Sequence, residues 1–165
     1  MDPVSVSVTI ARPREEVFEY LADIANHAEF TDHYMVDWRL TREDPYGRGA
    51  GARFRVKMPL NRFPWADVSV VEFEPPRLIV EAGRTGKFNR VRTLGTYELE
   101  PGAGGSTTRV TFTLESEPGN LADRIGESLG ARFWFRRKNA KAMRRLRSIL
   151  EEDRGRGTRA TVAAG

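Results

Sequence analysis

The chain has 165 residues, enough for one domain with a real core, because a domain of about 150 residues buries roughly 70% of its unfolded surface. Hydrophobic residues make up 39% and charged residues 30%, a soluble globular profile with no run near the ~18 apolar residues of a membrane-spanning helix. The net charge of +4 mixes many charges of both signs and names no partner, while the absence of cysteine removes disulfides, thiolate nucleophiles and cysteine metal sites.

Val4, Val6, Val8 and Ile10 alternate with Ser5, Ser7 and Thr9, the period of a half-buried strand. Such a start has neither the basic residues nor the apolar block of a signal peptide, so a cytoplasmic location is expected. Pro13 then suits a first helical turn, with Glu15 and Glu16 at its positive end, and a short helix is predicted to about Ile24. A second short helix is expected through Ala28 to Thr31. Met35 to Arg42 reads as a strand.

Gly47-Arg48-Gly49-Ala50-Gly51 superficially suggests a nucleotide-binding loop. That fingerprint must open a helix, whereas these glycines precede the alternating strand Ala52 to Met58, so a turn or bulge is expected. Further strands are predicted over Trp65 to Glu74, Leu78 to Ala82, Val91 to Glu100 and Thr108 to Glu115, separated by Pro- and Gly-rich turns. Asn120 to Asp153 reads as one long helix. Leu121, Ile125, Leu129, Phe135, Met143, Leu146 and Leu150 share its apolar stripe. Arg154 to Gly165 has no periodicity, and a disordered tail is expected after a single domain over 1–153.

Several stretches together resemble the SRPBCC superfamily, also called START-like, and within it the polyketide cyclase/dehydrase branch. They are Ala11 to Phe18 with Leu21 and Asp23, Val70 to Leu78, Tyr97 to Pro101 with Gly105 to Val110, and Leu146 to Glu151. The resemblance covers about Val4 to Glu152; where relatives often place a Trp after the first helix, this chain has Phe30. It implies an α+β helix-grip fold. In that fold a curved antiparallel sheet of six or seven strands wraps the long C-terminal helix and leaves a hydrophobic cavity.

An empty cavity of roughly 300 Å3 would cost on the order of 7 kcal/mol, so the space is expected to be filled by the chain, wetted, or occupied by a ligand. Phe54, Val56, Met58, Trp65, Tyr97, Leu99, Phe112 and Phe135 are candidate walls, with a plain core as the competing reading. Arg132 and Asn139 project onto the helix stripe. If buried they need partners such as Asp67, Glu81 or a bound anion; otherwise Arg132 reaches solvent on its long stem.

His27 and His33 lack the spacing of metal ligands, so no metal or cofactor is expected. His33 beside Tyr34 is a conceivable general base. Between Arg132 and Arg147 lie eight basic residues and no acidic one, and Trp134 accompanies them. A solvated face competes there with a peripheral membrane or homodimer contact, and no base-reading nucleic-acid motif is present. The expectation is binding of a small hydrophobic or aromatic molecule. A cyclase, aromatase or dehydratase is the alternative suggested by the resemblance, and an interaction module using the basic helix the third.

Overall fold

The computed structural model describes residues 1–117 and 129–163, without the side chain of Leu129. In chain order these form β1 (Val4–Ile10), α1 (Arg14–Ala22), a 3-10 turn (Ile24–Asn26), α2 (His27–Thr31), β2 (Met35–Leu40), β3 (Gly51–Val56), β4 (Trp65–Glu74) and β5 (Leu78–Thr85). After these come β6 (Val91–Pro101), β7 (Thr108–Glu117), α3 (Leu129–Glu152) and β8 (Thr161–Val162). The strands make one sheet in the order β1-β7-β6-β5-β4-β3-β2-β8. It is antiparallel throughout except at the β2–β8 pair. The helix-grip α+β architecture is therefore present, with eight strands rather than six or seven.

Alternation explains the long strands. Val4, Val8 and Ile10 are buried and face Leu114, Val110 and Thr108 on β7, while Ser5 and Ser7 lie outside and pair through hydroxyls with Thr113 and Thr111. On α3, Asn139, Ala142, Met143, Leu146 and Ile149 are buried at helical spacing. That stripe meets α1 and the sheet in one core with Phe18, Leu21 and Ile79. The expected stripe positions Leu121 and Ile125, and the side chain of Leu129, lie outside the described residues. Gly47 and Gly49 take φ of 75° and 85°, which glycine adopts without penalty, and they make a turn and not a phosphate cradle.

The C-terminal segment corrects the expectation of a disordered tail. After Asp153 the chain crosses α2 and the 3-10 turn before it, where Gly157 and Ala160 donate backbone hydrogen bonds to the Glu29 and Ala25 carbonyls, at 2.8 and 3.0 Å. It then adds β8 to the β2 edge, and Ala160 is buried against Ala25 and Ala28. Ion pairs fix it: Arg159 to Asp23 at 2.6 Å and Arg156 to Glu29 at 2.6 Å. None of these contacts has a period in sequence, since they are made by backbone groups and arginines reaching residues far back in the chain. Glu29 is buried and shares its carboxylate between Arg156 and the Tyr20 hydroxyl. Replacing Arg156 with Ala is expected to destabilise by about 1–2 kcal/mol. Denaturant unfolding should show a lower midpoint at unchanged slope, and an unmoved midpoint would remove the anchoring role.

Candidate functional site

Two chambers lie on the inner face of the sheet, the outer one lined on its far side by Ala131 and Phe135 of α3. The inner one, of about 70 Å3, lies against α2 and the middle of β5, β6 and β7, and the outer one, of about 190 Å3, reaches the ends of β3 to β7. They share Met35, Phe54, Ala66, Thr93 and Leu114 as a common waist. The outer chamber meets solvent beside the half-exposed Phe63. Left as void, 70 Å3 would cost about 2 kcal/mol. The inner wall is polar enough to hold water or a ligand group instead.

The polar groups come from elements far apart in sequence. His27 opens α2 and is 2% exposed; Glu81 projects from β5 and is 8% exposed. His27 Nε2 lies 2.8 Å from the Leu21 carbonyl, so this nitrogen must carry hydrogen and donate. Its Nδ1 faces Glu81 Oε1 at 3.1 Å. Burial opposes charge on the imidazole, but the Glu81 charge and hydrogen bond, the Leu21 carbonyl and the Asp23 charge together outweigh it, and the His27 pKa is held above 6.5. Nε2 is thus committed to the Leu21 carbonyl and Nδ1 to an ion pair with Glu81, whose Oε1 still lacks a well-aligned hydrogen bond among the described residues, so His27 sits beside Glu81 as a charge partner and not as a free base.

Tyr97 on β6 stacks edge-on to His27 at 5.3 Å and against Phe112 at 4.6 Å. Burial, with the Glu81 charge next, pushes its pKa well above 10, so the hydroxyl stays protonated. That hydroxyl has no hydrogen-bond partner among the described residues, although it belongs to the inner wall. Tyr34, likewise raised by burial first and Glu81 second, donates to Asn139 Oδ1 at 2.6 Å. A bulge in β2, with Asp37 at φ 57°, brings Trp38 inward to stack on Phe54 at 4.4 Å. The chamber can therefore hold an apolar ring between aromatic walls, offering a neutral O–H donor and a carboxylate at its closed end.

Of the residues expected as walls, Tyr97, Phe112 and Phe54 border the inner chamber, and Phe54, Val56, Met58 and Phe135 the outer. Asp67 borders the inner chamber, but its carboxylate is half-exposed and pairs with Arg53 at 3.9 Å. Four others are not walls. Trp65 lies outside under the Arg53 guanidinium at 5.0 Å, and Leu99 is packed in the core. Arg132 reaches out to Asp2 at 3.5 Å, as its long stem allows. Asn139 is buried behind Tyr34, its Nδ2 without a partner among the described residues.

His27 was missed as a wall. His27 stands just before the short helix expected from Ala28, with no apolar pattern around it, and only the fold covers it. Tyr34 and Glu81 were visible as polar residues next to apolar ones, yet nothing local pairs them. His33 is neutral by geometry, donating from Nε2 to the Lys138 carbonyl at 3.2 Å and accepting at Nδ1 from Arg145 at 3.4 Å. Its burial and the cations Lys141, Arg145 and Lys138 hold its pKa down at about 4, and it does not border either chamber. Trp134 is not a free surface ring: it packs edge-on to Tyr34 at 5.8 Å, with Lys138 over its face.

A third hollow, of about 320 Å3, runs along the C-terminal segment between Asp32, Asp37 and Thr158. It is larger, but its charged residues are exposed and already paired, so it lacks a buried polar atom without a partner such as Glu81 Oε1 on the inner wall. Among the described residues no cluster of His, Asp and Glu could hold a metal ion, and no helix is long and apolar enough to cross a membrane.

Comparison of the fold finds the same architecture in the Zhui aromatase/cyclase from Streptomyces sp. R1128, with TM-score 0.62 and 17% identity, covering 93% of this chain and 98% of that one. Norcoclaurine synthase from Thalictrum flavum matches with TM-score 0.66 and 11% identity, covering 92% of this chain and 94% of that one. DynU16, from the dynemicin biosynthetic locus, matches with TM-score 0.64 and 20% identity over 96% of this chain and 50% of its own. At these identities the likeness is one of fold. No curated protein sequence matches significantly. Residues 1–151 match the model of the family described as polyketide cyclase/dehydrase and lipid transport, and the chain belongs to that family.

Proposed function

We propose that this protein binds a small, mainly apolar molecule that carries a hydrogen-bond acceptor, with the acceptor on Tyr97 and the apolar body along Phe54, Phe112 and the waist. The observation that carries the reading is the Tyr97 hydroxyl: protonated, accessible on the wall of the inner chamber, and making no hydrogen bond to another described residue. A ligand oxygen that takes this donor in place of water gains a hydrogen bond worth about 0.5–1.5 kcal/mol. Native mass spectrometry of freshly purified protein is expected to show mass above the denatured chain, and Tyr97→Phe should weaken retention of that molecule about tenfold. An unladen native mass, together with no uptake of an aromatic ketone such as 1-tetralone, would contradict it.

A second reading rests on Glu81 sharing that chamber with Tyr97. A carboxylate acceptor and a phenol donor on one wall are the groups that enolisation of a ketone requires, and the family includes cyclases and dehydrases. In this reading Glu81 removes a proton beside the carbonyl and Tyr97 hydrogen-bonds the enolate oxygen, while His27 stands beside Glu81 as its charge partner. Exchange of the α-hydrogens of 1-tetralone with deuterium oxide, abolished by Glu81→Gln with binding retained, would support turnover; binding without exchange leaves the first reading alone.

A further inference from the structure

The mouth of the outer chamber is rimmed by two neighbouring loops. One, residues 57–64, joins β3 to β4, and the other, residues 86–90, joins β5 to β6. Their adjacency follows from register: Ala66 pairs with Thr85 and Thr85 with Val91, while the Thr85 hydroxyl donates to the Trp65 carbonyl at 3.0 Å. Both loops hold large apolar side chains in water. Leu60 is 100% exposed and Phe88 81%, while Phe63 of the first loop is half-exposed and lines the chamber.

Backbone conformation makes this outward display unusual. Leu60 has φ 63° and Phe88 φ 57°, the left-handed region that bulky L-residues rarely adopt. A sequence selected only for a solvated turn would place Gly or Asn there. The loops also carry Lys57, Arg62, Lys87 and Arg90, all exposed, and no acidic residue. Lys87 and Arg90 flank the Phe88 ring at 5.3 and 5.9 Å. Aromatic and aliphatic tips set in a ring of cations match an anionic bilayer surface, where apolar tips enter the acyl boundary and cations meet headgroups. A second copy of this chain fits poorly, because pairing this face with itself opposes like charges.

We propose that the loops at residues 57–64 and 86–90 dock the protein onto anionic membranes, with the chamber mouth facing the bilayer. The surface stands apart from the chamber reading, since docking is measured without any ligand in the cavity. The test is co-sedimentation of the full chain with phosphatidylcholine vesicles containing about one-third phosphatidylserine. Binding is expected on these vesicles and not on pure phosphatidylcholine, and it should weaken with salt.

Two double variants at exposed sites, Leu60→Ser with Phe88→Ser and Arg62→Glu with Lys87→Glu, are each expected to lower the bound fraction about tenfold, with the melting temperature within about 2 °C. Three results would overturn the proposal. The wild type fails to pellet with anionic vesicles; the variants pellet as the wild type does; or binding is lost only when Arg137, Lys141 and Arg144 on α3 are reversed to Glu. A concentration-dependent dimer in light scattering, removed by the same loop variants, would assign the face to a second copy and overturn it as well.

Discussion

Replacing Glu81 with Gln is expected to destabilise the protein by about 3 kcal/mol at pH 5, and to lose most of that deficit by pH 9. The reason is the coupling of His27 to Glu81 at 3.1 Å inside the closed end of the cavity. In the wild type the folded pKa of His27 is raised above 6.5. Its stabilisation is therefore fully present below 6.5 and is lost as pH rises through the folded value. Without the carboxylate charge, burial dominates and the folded pKa drops below 6.5. The imidazole is then buried neutral, so the variant is most stable above 6.5 and weakens on acidification. The His27 contribution to the pH slope changes sign.

His33, with a folded pKa of about 4, costs stability as pH falls from 6.5 towards 4, but it does so in both proteins and cancels in their difference. Chemical denaturation at pH 5, 7 and 9, paired with NMR titration of the His27 ring, checks this. A deficit that does not vary with pH would show that the pair is not ionised in the native state.

The second large effect is expected from Ala66→Phe. Ala66 is buried on β4, paired with Phe54 across to β3, and borders both chambers at the waist. A benzyl group added there occupies the passage between them. Overpacking of this kind costs about 1–3 kcal/mol, which the fold can absorb because the surplus volume enters existing space. Ligand entry cannot be spared in the same way. Affinity for an apolar probe such as 1-tetralone is expected to fall by about a hundredfold or more, roughly 3 kcal/mol, with the circular dichroism of the wild type retained. Undiminished affinity would place the ligand elsewhere.

The strands and the gripped helix were legible because their patterns are local. Alternation along β1, β6 and β7 and the stripe through Asn139, Met143 and Leu146 are consequences of one buried face each, although on the last turn Ile149 is buried and the expected Leu150 is only half-buried. The existence of a cavity was legible only through resemblance, since bulky inward residues read equally well as plain core. Which face of β4 turns inward was not legible. There the small and branched Ala66, Val68 and Val70 turn inward while the larger Trp65, a candidate wall, lies outside under Arg53.

The polar end of the site was illegible for a different reason. His27, Tyr34, Glu81 and Asn139 come from α2, the segment before β2, β5 and α3, and each pairs across more than fifty residues or through a backbone carbonyl. The C-terminal segment hid in the same way, because its anchors are arginines whose acceptors, Asp23 and Glu29, lie at the other end of the chain.

The most direct measurement is an amide-detected NMR titration of the full chain with 1-tetralone. If the molecule enters the space between sheet and helix, the shifts that move first and furthest are those of Thr93, Gly95 and Tyr97 on β6 and Ala66 on β4, and Tyr97→Phe weakens the response. Perturbations confined to the outer loops or to the hollow along residues 158–161, or none at all up to the solubility of the probe, would contradict a binding chamber.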